Sequence, residues 1–326
     1  MNSPRTYPAV HKPVMLAEVL AALAPRDGGV YVDATFGAGG YSRALLEAAD
    51  CTVWGIDRDP LAQSIGKEMG REFHGRLTVL AGRFGNMAEL LASVGVTQID
   101  GVALDLGVSS MQLDDPARGF SFRADGPLDM RMGQGSDAAD AVSAADVVNS
   151  MAEKELADLV YKYGEERASR EIAAAIVELR EKSPITRTEE LASLLRRVVK
   201  KSKDGIDPST RTFQALRIYV NDELGELARG LRAAEDLLAP GGRLAVVSFH
   251  SLEDRYVKDF LRDASGTGPR PSRHMPDLPA AVGNPVFRLI SRGAEKPGDA
   301  ETRANPRARS ARLRWAERTV APARAA

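Results

Sequence analysis

Short apolar runs alternate with segments of helical spacing over the first third of the chain. Val30-Tyr-Val-Asp-Ala-Thr-Phe36 predicts a buried strand, Thr52-Val-Trp-Gly-Ile-Asp57 a second, Leu77-Thr-Val-Leu80 a third and Ile99-Asp-Gly-Val-Ala-Leu-Asp-Leu106 a fourth. Between them Ser42 to Ala49, Leu61 to Met69 and Met87 to Val94 carry the spacing of amphipathic helices. Strand and helix in strict alternation predict a parallel sheet with helices packed on its faces.

The pattern then breaks. Residues 107 to 135 are rich in Gly, Asp, Ser and Pro and read as a long loop, the kind that carries function in compact domains. Helical spacing follows, with Ala168, Ile172, Ala175, Ile176 and Leu179 on one apolar face. Ser150-Met-Ala-Glu153 and Thr186-Arg-Thr-Glu189 both fit capping boxes. Phe213 to Leu238 reads as one helix ending at Pro240-Gly-Gly242, and Arg243 to His250 as a fifth strand. Ser251 is the expected N-cap of the next helix, with Asp254 three residues on. Residues 264 to 286, rich in Pro, Gly and Arg, read as mobile, and a final strand is expected near Ser310 to Trp315. The expected organisation is a discontinuous α/β domain, residues 1–113 and 210–326, interrupted by an all-helical insert at 114–209.

Composition narrows the setting. Length alone suggests about two domains at roughly 150 residues each. The single cysteine, Cys51, forbids an intrachain disulfide and excludes a cysteine-based zinc cluster. The start of the chain has no apolar stretch behind a basic one, and no apolar run approaches the ~20 residues of a membrane span. A cytoplasmic protein with no membrane partner and no metal is expected. The net charge of −1 hides an asymmetry: Thr267 to Ala326 holds 12 Arg and Lys against 5 Asp and Glu, so the rest is acidic. A basic tail on an acidic body suggests a polyanionic partner, the alternative being a merely solvated tail.

The candidate chemistry sits at strand ends, where open α/β sheets bind ligands. Asp33-Ala-Thr-Phe-Gly-Ala-Gly-Gly-Tyr41 forms the first strand-to-helix turn, and its glycines allow a ligand close approach. The dinucleotide fingerprint would need Gly at position 42, where the chain has Ser42. A nicotinamide cofactor therefore fits poorly and S-adenosylmethionine fits better. Asp57, ending the second strand, is placed to accept both ribose hydroxyls, whereas its neighbour Asp59 reads as a helix cap. Phe84 follows the third strand and lines either an adenine site or the core. Asp105 ends the fourth strand, with Ser109 and Ser110 just after it. An oxygen acceptor there can orient an exocyclic amine whose lone pair is delocalised into its ring, though turn hydrogen bonds explain the serines equally well. His250 ends the fifth strand as a base or as a structural residue. His11 is expected to fix the N-terminal segment over the cofactor. Phe120 and Phe122 offer stacking surfaces or core packing. Arg196, Arg197, Lys200, Lys201 and Lys203, with Arg211 nearby, form a basic helix end that suits phosphates or simply faces solvent.

Together these motifs are far more specific than any one. The chain resembles the bacterial 16S ribosomal RNA cytosine-N4 methyltransferase family, known as RsmH or MraW. The resemblance runs almost end to end, through His11-Lys-Pro-Val14, Asp33-Ala-Thr-Phe-Gly-Ala-Gly-Gly40, Ile56-Asp-Arg-Asp59 and Leu104-Asp-Leu-Gly-Val-Ser-Ser110. It continues through Gln112-Leu-Asp114, Arg118-Gly-Phe-Ser-Phe122, Gly126 to Met132, Tyr163-Gly-Glu-Glu-Arg167, Thr210 to Arg217, Ser248 to Arg255 and Asn305-Pro-Arg-Ala-Arg-Ser310.

The resemblance implies a Rossmann-like methyltransferase domain with an inserted helical RNA-recognition domain. It implies S-adenosylmethionine as cofactor and, as substrate, the P-site cytosine of 16S ribosomal RNA in the small (30S) subunit. Its cofactor residues fall on Gly39, Gly40, Tyr41, Asp57, Phe84, Asp105 and Gln112. Two positions depart from the family pattern: Tyr41 stands where His is usual and Met111 where Pro is usual. Three other readings stay open. A DNA amino-methyltransferase is disfavoured by the absence of a Pro-Pro-aromatic element after Asp105, a nicotinamide oxidoreductase by Ser42. A non-catalytic ribosome assembly factor would keep the fold without the reaction. A homodimer is left open.

Overall fold

The structure is a computed structural model and describes residues 13–133, 141–200, 205–267, 284–291 and 293–324. His11, Lys201, Lys203 and most of the Pro/Gly/Arg-rich stretch therefore lie outside the described residues. Contacts divide the chain into two compact units, Met1–Gly107 with Gly225–Ala326, and Val108–Leu224.

The first unit is an α/β sheet domain. Its strands are β1 (Val30–Asp33), β2 (Thr52–Asp57), β3 (Leu77–Ala81), β4 (Ile99–Asp105), β5 (Leu238–Ser248), β6 (Phe287–Leu289) and β7 (Arg312–Arg318). Its helices are α1 (Leu16–Leu23), α2 (Gly40–Ala48), α3 (Pro60–Glu72) and α4 (Met87–Ser93), then α11 (Glu223–Leu237), α12 (Ser251–Ala264) and α13 (Asp299–Ala304). The strand order is β3-β2-β1-β4-β5-β7-β6. β1 to β5 run parallel, and β7 lies antiparallel between β5 and β6. The order reverses between β1 and β4, the switch point at which such sheets open a crevice for ligands.

The strands are buried on both faces, so they read as near-continuous apolar runs. Alternate residues feed two cores. Val32, Ile56, Val102, Leu104, Leu244 and Val246 pack against Leu91, Leu231 and Val257 of α4, α11 and α12. Tyr31, Val53, Ala103, Ala245 and Val247 pack against Val19, Leu45 and Met69 of α1, α2 and α3.

The second unit is helical: α5 (Ser110–Asp114), α6 (Ala144–Ser150), α7 (Glu153–Gly164), α8 (Ser169–Arg180), α9 (Thr188–Val198) and α10 (Ser209–Asn221). Its core joins Val148, Leu156, Val160, Ile172, Ile176, Leu191 and Leu195 to Phe213 and Leu216.

Several expectations need correction. Residues 107 to 135 are not merely a surface loop. Phe120, Leu128 and Met130 belong to the helical core. The run from Phe213 to Leu238 is two helices, separated where Asp222 takes a left-handed conformation (φ 51°). α10 packs on α7 in the helical unit, so the division falls at 108 and 224 rather than at 114 and 209. The expected caps at Ser150 and Thr186 are not the caps used. α7 follows Ala152 without a side-chain cap, and α9 follows Arg187 with Glu190 closing back on it. β6 had no expectation, since three residues are too few to show a period.

At the α7–α10 contact Gly164 lies so close that an added Cβ would stand 2.6 Å from the Arg211 carbonyl oxygen. Backbone cannot yield there as a flexible side chain would. Gly164→Ala is expected to cost about 1–3 kcal/mol by overpacking, read as a lower urea midpoint; an unchanged midpoint would mean the two helices separate freely.

Candidate active site at the carboxyl edge of the sheet

Three adjacent strands end in carboxylates at the switch point: Asp57 on β2, Asp33 on β1 and Asp105 on β4. Asp33 is fully enclosed. Its Oδ2 accepts from the Ser42 hydroxyl (2.8 Å) and backbone N–H (3.1 Å), while its Oδ1 has no partner. Burial, reinforced by the charge of Asp57, pushes its pKa up to about 6. Ser42 thus has a structural task that glycine would leave undone.

Asp57 is equally constrained. Its Oδ2 accepts from Gly37 N–H and its Oδ1 from Asp59 N–H, each at 2.8 Å. Each oxygen keeps a further lone pair, so a diol can still be accepted. Desolvation holds this carboxyl too at about 6. Asp59 caps α3 through Leu61 N–H (3.0 Å), the role its position suggested.

Asp105 is fixed from behind, its backbone N–H donating to Thr35 Oγ1 at 2.6 Å. Its Oδ1 is buried without a partner. Burial and the charges of Asp33 and Glu253 raise its pKa well above the usual carboxylate range. Asp33 and Thr35 were not among the sequence candidates. The signal was available, since Asp33 ends the strand on one side of the switch point.

The glycine turn is shaped by the chain itself. Gly39 is left-handed (φ 77°), and a Cβ there would strike Phe36 and Met69. A Cβ on Gly40 would stand 2.0 Å from Pro13 Cγ. Tyr41 is buried and its hydroxyl donates to the Val14 carbonyl. On the other side Met15 N–H donates to Glu301 Oε1 (2.7 Å). Pro13 to Met15 thus form a strap across the turn, and the Tyr41 side chain holds that strap. Phe84 opens a short 3-10 turn whose Gly85 N–H donates to buried Glu226 (2.9 Å). Its half-buried ring packs against Gly230 on α11.

The remaining candidates occupy local roles. His250, not Ser251, is the N-cap of α12, and Glu253, not Asp254, closes the box. His250 Nδ1 accepts from Glu253 N–H (3.4 Å), and Nε2 lies 3.0 Å from Glu253 Oε1 without hydrogen-bond alignment. In the helical unit Ser109 caps α5, accepting from Gln112 N–H (3.2 Å), and Gln112 Oε1 accepts from Ser109 N–H (3.1 Å). Ser110 is the first residue of that helix.

The expected RNA-contacting set separates. Phe120 is a core residue with Arg118 over its ring, so it cannot stack on a base. Phe122 meets Phe213 edge-on at 5.0 Å. Arg196 is engaged by Asp207 (3.0 Å) and Glu189 (3.2 Å) and lies over Phe122. Arg211 donates to the Glu165 carbonyl (3.3 Å). Arg197 and Lys200 face solvent.

Desolvated carboxylates with unpartnered oxygens suit a ligand that brings positive charge and hydroxyls; they oppose a pyrophosphate. A sulfonium, an α-ammonium and a ribose diol meet that description. The fold and site define a Rossmann-like, S-adenosylmethionine-dependent methyltransferase. The particular family follows from sequence: a profile described as the MraW methylase family matches residues 8–319, and the chain belongs to that family. It is 64% identical over 317 residues to the ribosomal RNA small subunit methyltransferase H of Rhodospirillum centenum, covering 97% of this chain and 94% of that one. It is 61% identical to the protein of that name from Paramagnetospirillum magneticum, covering 97% and 98%. The protein of that name from Rhodospirillum rubrum is also 61% identical, covering 96% and 95%.

The pH dependence has a definite sign. Asp33 and Asp57 are raised in the folded chain, so their contribution to stability is present below the ordinary carboxylate range and is lost as pH rises through about 6. A cationic ligand relieves that loss. Saturating S-adenosylmethionine should therefore raise the melting temperature more at about pH 7.5 than at about pH 5. Differential scanning fluorimetry at both pH values checks this, and equal increments would contradict it.

Proposed function

We propose that this protein methylates the N4 amine of a single cytosine, the one at the P site of the decoding centre, in 16S ribosomal RNA. The protein is a small-subunit ribosomal RNA methyltransferase, and its near full-length likeness to relatives of that name supports the class of substrate. The observation that carries the reaction is Asp105: a buried carboxyl oxygen without a partner, at the switch point, on a backbone fixed by Thr35.

The bound cofactor supplies an electrophilic methyl group on sulfur. Asp57 takes the ribose hydroxyls, Gly39 and Gly40 bring backbone to the amino-acid part, and the Phe84 turn borders the base. Gln112, whose side chain also braces α5, joins this set by resemblance. The cytosine amine is a weak nucleophile because its lone pair is shared with the ring. Asp105 accepts one N4–H, drawing the nitrogen toward tetrahedral geometry and turning the lone pair outward. Ser109 and Ser110 start α5 four and five residues further on and shape the segment after Asp105. His250, already engaged in capping α12, holds the end of β5. With the methyl group that the cofactor would supply, Asp105 keeps the amine in line while the proton on nitrogen is given up to water. Orientation and electrostatics account for most of the acceleration. The helical unit, 108–224, recognises the RNA around the target, and among the described residues of the basic helix end Arg197 and Lys200 are exposed to contact it.

The direct test incubates small subunits from cells lacking this gene with the purified protein and labelled S-adenosylmethionine. Nuclease digestion and mass spectrometry then locate the methyl group. One N4-methylcytosine at the P site is expected; label on DNA or protein instead would overturn the substrate. Asp105→Ala should lower turnover by at least about 10²-fold while small-subunit binding persists. A variant with full turnover would remove Asp105 from the chemistry.

A further inference from the structure

The carboxyl edge of the sheet gathers Asp33, Asp57, Asp105 and Glu253. An RNA strand delivering a base to that edge brings phosphates toward carboxylates. Cations must stand close by to offset the repulsion, and the structure shows which of the tail arginines are available.

Among the described residues, four of them serve the fold. Arg318 is buried and donates to the Glu235 and Thr319 carbonyls. Arg324 clasps the fully buried Glu235. Arg314 is bidentate on Asp254 (2.8 and 3.2 Å), and Arg288 pairs with Glu317 (2.6 Å). Arg303 and Arg309 differ: both are exposed, and among the described residues neither meets a carboxylate. Arg312 is exposed, and its Nε is 4.0 Å from Asp254, which Arg314 already holds.

Their placement is fixed by the topology. β7 runs antiparallel to β5, with Arg312 opposite Ser248. The start of β7 therefore lies at the carboxyl end of β5, on the edge where Asp105 ends β4. The preceding 3-10 turn, Pro306–Ser310, is pinned by Ala308 and Ala311 in the core and by Asn305 accepting from Arg307 N–H (3.2 Å). Residues flanking Ala308 are held outward on a rigid turn. α13 is tied to the strap through Glu301, which accepts from Met15 N–H, and Arg303 lies exposed in the last turn of the same helix.

We propose that Arg303, Arg309 and Arg312 form a phosphate-binding ridge of the sheet unit, gripping the RNA backbone next to the target cytosine. This rests on the reading of the protein as an RNA methyltransferase and adds where its first unit holds the strand. Guanidinium forks match phosphate oxygens in bidentate geometry, and a turn anchored by buried alanines spends little entropy in presenting them.

The test compares full-length wild type, R303Q/R309Q, R303Q/R309Q/R312Q and R288Q on unmethylated small subunits. Arg288 is exposed but already paired, so R288Q removes one positive charge from another place and serves as the per-charge control. For the double variant we expect KM for subunits to rise about tenfold at moderate salt, and the dependence of log KM on log salt to flatten by about one to two. Turnover at saturating subunits and affinity for S-adenosylmethionine should stay unchanged, the triple variant should be weaker still, and R288Q should behave as wild type. A double variant with wild-type KM and salt slope overturns the ridge while leaving the function intact. An equal effect from R288Q also overturns it, since net charge would then suffice. Wild type that methylates no RNA overturns the underlying reading itself.

Discussion

Burying carboxylates without giving each oxygen a partner is costly, and the sheet unit does so at the ends of adjacent strands. A desolvated carboxylate is unfavourable when charged and raises its own pKa to escape the charge. Asp33 and Asp57 are held at about 6, and burial raises Asp105 well above the usual carboxylate range. The surroundings decide which oxygens are satisfied. Ser42 takes one side of Asp33, Gly37 and Asp59 take Asp57, and Thr35 takes the backbone of Asp105 rather than its carboxyl. One oxygen of Asp33 and one of Asp105 remain buried without a partner. Such an edge is poised for a ligand that carries positive charge, and this preference separates a sulfonium cofactor from a nicotinamide dinucleotide on physical grounds.

The same constraint explains why the glycine turn is covered by protein. Desolvation of the edge needs atoms over it, and Pro13 to Met15 supply them. The strap is tied at Val14 by Tyr41 and at Met15 by Glu301. Gly40 makes room for Pro13 as much as for any ligand. The tyrosine at position 41 thus stands at a family position usually held by histidine, yet it meets the chain's own backbone. Both bonds use main-chain atoms of the strap, so they constrain its path regardless of its side chains.

Much of this was legible in the sequence, for a definite reason. Parallel strands buried on both faces carry long apolar signals, so β1 to β4 and the helices between them stood close to their expected positions. Asp57, Asp105 and the glycine turn were found because ligand sites in such sheets fall at strand ends. What escaped depends on contacts between residues distant in sequence. Left-handed residues that end helices, Ala24, Glu165 and Asp222 among them, give no periodic signal. Phe120 and Phe122 left stacking and core packing equally open in the sequence, and only the structure shows their loop giving Phe120, Leu128 and Met130 to the helical core. The cap at His250 was missed by one residue because histidine is an uncommon N-cap, its ring nitrogen replacing the usual hydroxyl or carboxylate.

The basic tail shows why charge counts from sequence need a structure. Twelve cations in the last sixty residues suggested one polyanionic partner, and a count treats them alike. Folding divides them. Glu235 is wholly buried, and its charge is tolerable only because Arg324 and Arg232 reach it. Arg324, partly exposed, is thereby committed to Glu235 beside Arg232 of α11. Arg314 joins β7 to α12 through a largely buried bidentate pair with Asp254, whereas the Arg288–Glu317 pair between β6 and β7 is solvent-screened and weak. Only after these are withdrawn does the remaining charge become directional. Among the described residues it includes Arg303 on α13, Arg309 on the turn before β7 and Arg312 at the start of β7, which lies at the carboxyl end of β5. A sheet edge acidic enough to hold a cationic cofactor repels a polyanionic substrate, and the opposite charge beside it resolves the conflict without neutralising the cofactor site.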